Sequence, residues 1–74
     1  MNLPDVAGNI RAELARQRKT RESLRESLRI SRGSMHRRLA GHTSFTTDEL
    51  VLVAKFLDVP IAELFRSDAA EVSA

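Results

Sequence analysis

Apolar residues recur at helical spacing along most of this chain, and no segment alternates as a half-buried strand would. Val6, Ile10 and Leu14 repeat every four residues and predict a first helix from Pro4 to Arg18. Pro4 suits its first turn, and Asp5 complements the positive end of its dipole. Thr20 can cap a second helix that ends near Leu28, with Leu24 and Leu28 as its buried stripe. Ser31 caps a third helix running to about Ala40, where Gly41 stands as a left-handed terminator. Ile30 and Met35 flank that cap as a hydrophobic staple. The fourth helix has the clearest start. Thr46 and Glu49 form a capping box, and Phe45 and Leu50 staple across it. It continues through Val53, Ala54 and Leu57 until Asp58 breaks it, and Pro60 opens a fifth helix ending near Phe65.

The pattern therefore predicts an all-α fold, a compact bundle of about five short helices with a helix-turn-helix between Thr20 and Gly41. Residues 1–66 form the domain, and residues 67–74 read as a flexible polar tail. The expected core is Val6, Ile10, Leu14, Leu24, Leu28, Ile30, Met35, Leu39, Leu50, Val53, Ala54, Leu57, Ile61, Leu64 and Phe65. A chain this short buries only about 60% of its unfolded surface, so modest stability is expected. With no cysteine, neither a disulfide nor a thiolate metal site can hold it.

Charge changes the picture more than composition does. Residues 11–38 hold ten of the twelve Lys and Arg residues against Glu13, Glu22 and Glu26, a local excess of +7 that the net charge of +2 conceals. Residues 39–74 carry −4. Such an asymmetric field steers the basic end toward a polyanion. No apolar run approaches the roughly 18 residues of a membrane span. Nor does a secretory leader follow the N-terminus, so an intracellular location is expected. Catalysis is not expected either. No nucleophile–base pair or Gly-rich phosphate loop is present, and His36 and His42 are not at ligand spacing. We expect no metal, no cofactor and no small-molecule substrate.

At this point the chain resembles the phage repressor and Cro family of lambda-repressor-like helix-turn-helix proteins. The resemblance covers about Ile10 to Phe65. It rests on Thr20 to Leu24 opening helix 2, Ile30-Ser31 before helix 3, Gly41 after it, Asp48-Glu49-Leu50 in helix 4, and Val59-Pro60 to Phe65. The family implies that helix 3 enters the major groove of an operator while helix 2 lies across the backbone, usually in a dimer. It also implies a cytoplasmic regulator of bacterial or phage origin. Carried over by position, Arg32, Gly33, Ser34 and Arg37 face base edges, with His36 beside them. Thr20, Arg21, Arg25, Arg38, His42 and Thr43 are the candidates for phosphate contact.

Several of these residues have a plainer reading as well. Gly33 either lets the backbone approach the bases or is neutral drift. Ser34 is a contact or a solvated hydroxyl. His36 is a contact or merely exposed. Arg38 pairs with a phosphate or with an acidic neighbour, and Arg18 and Lys19 are equally open. Two positions depart from the family. Arg25 stands where a small residue usually lets helices 2 and 3 approach. Arg29 stands where the turn usually has glycine, and a non-glycine there costs on the order of 1–2 kcal/mol. Both departures put the angle of helix 3 in question, and both add positive charge.

The competing reading is a protein-interaction module on the same scaffold, such as an antitoxin or a docking factor. The outward face of helix 3, with Arg, Gly, Ser and His, favours DNA over that reading. Single-strand or RNA binding is disfavoured, because Phe45, Phe56 and Phe65 all lie outside the basic segment and leave no stacking platform there. Val51, Phe56 and the outer side of helix 5 form the candidate homodimer patch.

Overall fold

The structure, a computed structural model, describes residues 3–67. It contains four α-helices, α1 (Val6–Gln17), α2 (Arg21–Leu28), α3 (Arg32–Leu39) and α4 (Thr47–Leu57), followed by a 3₁₀ helix (Ile61–Phe65). Among the described residues there is no strand. No helix is long and apolar enough to cross a membrane. The fifth predicted helix is thus a 3₁₀ helix, and residues 68–74 of the expected tail lie outside the described residues.

Each α-helix starts where a side chain can satisfy its orphan N–H groups. Asp5 accepts from Gly8 N–H, so α1 begins at Val6 rather than at Pro4. Thr20 accepts from Ser23 N–H and Ser31 from Ser34 N–H. The capping box of α4 is complete. Glu49 N–H donates to Thr46 Oγ1, and Thr46 N–H donates back to Glu49 Oε1.

The helices end just as abruptly. Arg18, Arg29 and Asp58 take left-handed φ values of 56°, 56° and 54° directly after α1, α2 and α4, and Gly41 takes 84° after α3. The turn between α2 and α3 therefore keeps the left-handed geometry although Arg29 replaces glycine. Its N–H reaches back to the Glu26 carbonyl, and the Ile30 N–H reaches the Arg25 carbonyl. The positive charge of Arg29 at the carbonyl end of α2 offsets part of the strain. Arg29→Gly is accordingly expected to stabilise the domain by about 0.5–1 kcal/mol, the relief of the side-chain clash less the extra freedom given to the unfolded chain. A urea denaturation series checks this, and an unchanged or lowered midpoint would show that the turn carries no strain.

The core is Ile10 and Leu14 of α1, Leu24 and Leu28 of α2, Met35 and Leu39 of α3, and Leu50, Val53, Ala54 and Leu57 of α4, closed by Leu64. Val6, Ile30, Phe45, Phe56 and Val59 pack around it. Two expected core members lie outside. Ile61 is 39% exposed and Phe65 43% exposed. Within this five-residue piece only Leu64 is fully buried; Phe65, the next residue, is turned about 120° away from it by the three-residue period of a 3₁₀ helix.

In exchange the interior takes two residues that the apolar pattern passes over, Ala7 and Asn9. Asn9 Nδ2 donates 2.9 Å hydrogen bonds to the carbonyls of both Leu64 and Arg66. It thereby staples the 3₁₀ segment to α1 and satisfies carbonyls that would otherwise be costly to bury. α1 packs on the 3₁₀ helix, α3 and α4, while α2 lies between α3 and α4. This leaves the outer side of the α2–α3 pair free of other elements.

Candidate nucleic-acid interface

Met35 and Leu39 anchor α3 to the core, four residues apart on one side of the helix. Gly33 and Arg37 lie opposite them and Arg32 and His36 on the flank toward α2, all four exposed, with Ser34 half-buried. The structure therefore brings the five residues expected at base edges onto one helix, at or beside its solvent face. Arg32 stands at the start of the helix with its side chain 81% exposed. Arg37 folds back along the helix. Its Nη2 donates to Ser34 Oγ at 3.3 Å, and a Cβ placed on Gly33 would lie 3.3 Å from its Nη1. Gly33 thus leaves room for the Arg37 fork to lie flat against the helix. The nearest neighbours are Arg21, exposed at the first turn of α2, and a shallow cleft of about 170 Å³ lined by Arg21, Glu22, Arg25, Arg32, Met35, His36 and Leu39.

The six expected phosphate contacts divide into two groups. Arg21, His42 and Thr43 are exposed beside α3. The loop carrying the last two is held by the end of that helix, because His42 N–H and Thr43 N–H both donate to the Arg37 carbonyl. Among the described residues neither Arg21 nor His42 has an ion pair. The other three are engaged within the protein. The Thr20 hydroxyl accepts from Ser23 N–H and donates to Ser23 Oγ. Arg38, with a side chain only 16% exposed, donates to Glu49 Oε1 at 2.8 Å and joins α3 to the capping box of α4. Burial opposes ionisation of the Glu49 carboxyl, but hydrogen bonds from Thr46 and Arg38 outweigh it and hold its pKa below the ordinary value. Arg38 thus takes the acidic-neighbour role of the two left open by the sequence.

Arg25 is the third engaged residue. Its side chain is 22% exposed, lies along the α2–α3 junction, and donates from Nη1 to the Ile30 carbonyl at 3.1 Å. It also pairs with Glu22 one turn earlier. The small residue expected at this position is replaced by a long one that reaches over the turn and ties its far side down. The hydrogen bond from the Arg25 guanidinium is the main cause holding the Glu22 carboxyl at about 2, with Arg32 adding to it.

Three further anchoring roles were not legible in the sequence. Arg11 Nη1 donates to the Leu39 carbonyl and so fixes the end of α3 against α1. Lys19 donates to the Phe56 carbonyl at 2.7 Å and stands 4.8 Å above the Phe56 ring, so this cation ties the α1–α2 turn to α4. Glu22, which the sequence shows only as a charge three residues before Arg25, links Arg25 and Arg32. Of the basic segment, the cations left toward the α2–α3 face are chiefly Arg21, Arg29, Arg32 and Arg37, all exposed.

The comparisons with known proteins fall on this geometry. A search of curated proteins gives no match, and a search of solved structures gives none. A family model described as the BetR domain matches residues 5–74, nearly the whole chain. With four helices, a helix-turn-helix at α2–α3 and a match over that length, the chain belongs to the BetR-domain family, small helical domains of the helix-turn-helix, DNA-binding type.

Proposed function

We propose that this chain is a sequence-specific regulator that binds a double-stranded DNA operator in the manner of phage repressors and Cro, in the cytoplasm of a bacterial or phage-infected cell. α3 lies in the major groove, and α2 crosses the phosphate backbone. The observation that carries this reading is the outward face of α3. Its exposed positions Arg32, Gly33, His36 and Arg37 include no large apolar side chain, while Met35 and Leu39 hold the helix to the core. Arginine can donate two parallel bonds to guanine O6 and N7, so the half-site contains guanine. Arg21, His42 and Thr43 grip phosphates on either side, fixing register without reading sequence.

A protein-docking module of antitoxin type would place apolar side chains on the same face. Here the exposed large apolar residues are Val51 and Leu52 of α4 and Ile61 and Phe65 of the 3₁₀ helix, together with Leu3. Phe56 is half-buried beneath Lys19, so the homodimer contact draws on Val51, Ile61 and Phe65 rather than on Phe56.

Selection from a pool of random duplexes at about 150 mM salt, read by sequencing, tests the proposal. The expected result is a guanine-containing motif, repeated with two-fold symmetry at centres about 10 bp apart if the protein binds as a dimer. An isolated half-site would retain DNA reading by a monomer. No enrichment, with weak binding that disappears as salt rises, would overturn operator recognition and favour the docking module.

A further inference from the structure

Four groups at the mouth of the α2–α3 cleft form a connected relay. Arg25 donates to the Ile30 carbonyl, one residue before the Ser31 cap of α3, and its Nε and Nη2 both donate to the Glu22 carboxylate. Glu22 Oε2 in turn accepts from Arg32 Nη2 at 3.4 Å. The two arginines are not equivalent. Arg25 is largely covered and bound to backbone, so it fixes the carboxylate in place. Arg32 is almost fully exposed, and the longer contact to Glu22 is its one ion pair among the described residues.

A flexible exposed arginine beside DNA binds whatever phosphate is nearest, and such contacts underlie sequence-independent affinity. A carboxylate fixed beside Arg32 opposes this in two ways. It neutralises part of the charge available to a phosphate, and it adds a repulsive charge at the surface that phosphates approach. The same carboxylate does not prevent base reading. Guanidinium has five N–H donors in a planar fork, so Arg32 can leave one Nη2 hydrogen on Glu22 and still donate two parallel bonds to a guanine. With one corner of the fork held, fewer orientations compete with the one that meets the base.

Resting on the DNA-binding reading above, we infer that Glu22 is a positioning residue that sets specificity: fixed by Arg25, it aims Arg32 at a base edge and suppresses its contacts with phosphates of unrelated sequence. Glu22 touches the reading residue rather than the base, and its effect is on the ratio of specific to non-specific binding.

The test uses the duplex enriched by selection and a scrambled duplex of the same length and composition. Affinities of the wild type, Glu22→Gln, Arg32→Ala and the double variant are measured for both across a salt series. Thermal unfolding of each is recorded so that binding is read well below its midpoint. Glu22→Gln is expected to tighten binding to the scrambled duplex, to steepen its salt dependence by up to about 0.9 in the log–log slope, and to lower the specificity ratio about tenfold. In the Arg32→Ala background the same change is expected to leave the ratio within about twofold, because no guided side chain remains. A ratio unchanged in Glu22→Gln, or one that falls equally with and without Arg32, overturns the inference while leaving DNA binding intact. A wild-type chain that does not distinguish the two duplexes removes the DNA reading itself and the inference with it.

Discussion

Leu24→Ala is expected to cost about 2–5 kcal/mol and to lower the thermal midpoint by about 15 °C or more. Leu24 is fully buried in α2, the helix that stands between α3 and α4. Removing its outer carbons leaves a void inside the buried cluster that the surrounding structure fills only in part. For a chain of this size, total stability is on the order of 4–11 kcal/mol, so a single deletion consumes a large share of it. Circular dichroism during heating measures the effect. A fall of less than about 5 °C would show that α2 can move to close the void, and would contradict the packing described here. Because α2 also carries Arg21, Glu22 and Arg25, DNA binding is expected to be lost together with folding, not before it.

The second large effect concerns binding without folding. The double substitution Arg32→Ala with Arg37→Ala is expected to weaken binding to the selected duplex by about 30-fold to 10⁴-fold, from about 1–3 kcal/mol for each bidentate base contact. Both side chains are exposed and neither holds the core, so the thermal midpoint is expected to stay within a few degrees. Lysine at either position is expected to rescue only partly, since it lacks the planar fork. Arg21→Ala supplies the contrast. It is expected to weaken selected and scrambled duplexes alike and to reduce the salt slope by about 0.9, as loss of one phosphate contact requires. If the double variant and Arg21→Ala behaved the same way on both duplexes, α3 would not be the reading element. Fluorescence anisotropy on labelled duplexes separates the two cases.

The main fold was legible because its signals are local. The caps Thr20, Ser31 and Thr46, the Glu49 capping box and the left-handed Gly41 each act within a few residues, and each is found where the chain predicts it. The helical stripe identified all eleven residues of the buried cluster, because burial in a helix follows from a fixed angular period. It was less reliable where the period changes. In the 3₁₀ helix Phe65 is turned away from Leu64, and a pattern written for 3.6 residues per turn cannot show this; Ile61, at the first residue of the piece, also stays partly exposed. Asn9 was invisible for a different reason. It is polar, and its buried position depends on carbonyls 55 and 57 residues further along.

The candidate interface divides in the same way. Sequence by itself determined the all-α architecture, the position of the helix-turn-helix, the basic character of its segment and the exposure of Arg32, His36 and Arg37, because periodicity and charge are properties of neighbouring residues. Only the tertiary structure decided which cations remain available. Arg11, Lys19, Arg25 and Arg38 are held by a carbonyl of Leu39, a carbonyl and ring of Phe56, a carbonyl of Ile30 with Glu22, and the carboxylate of Glu49. Long side chains reach partners across a turn or on another helix, and those partners come within range only once the helices have packed. For the same reason the left-handed turn at Arg29, which composition alone would disfavour, is retained where surrounding packing and the Arg25 tie hold it.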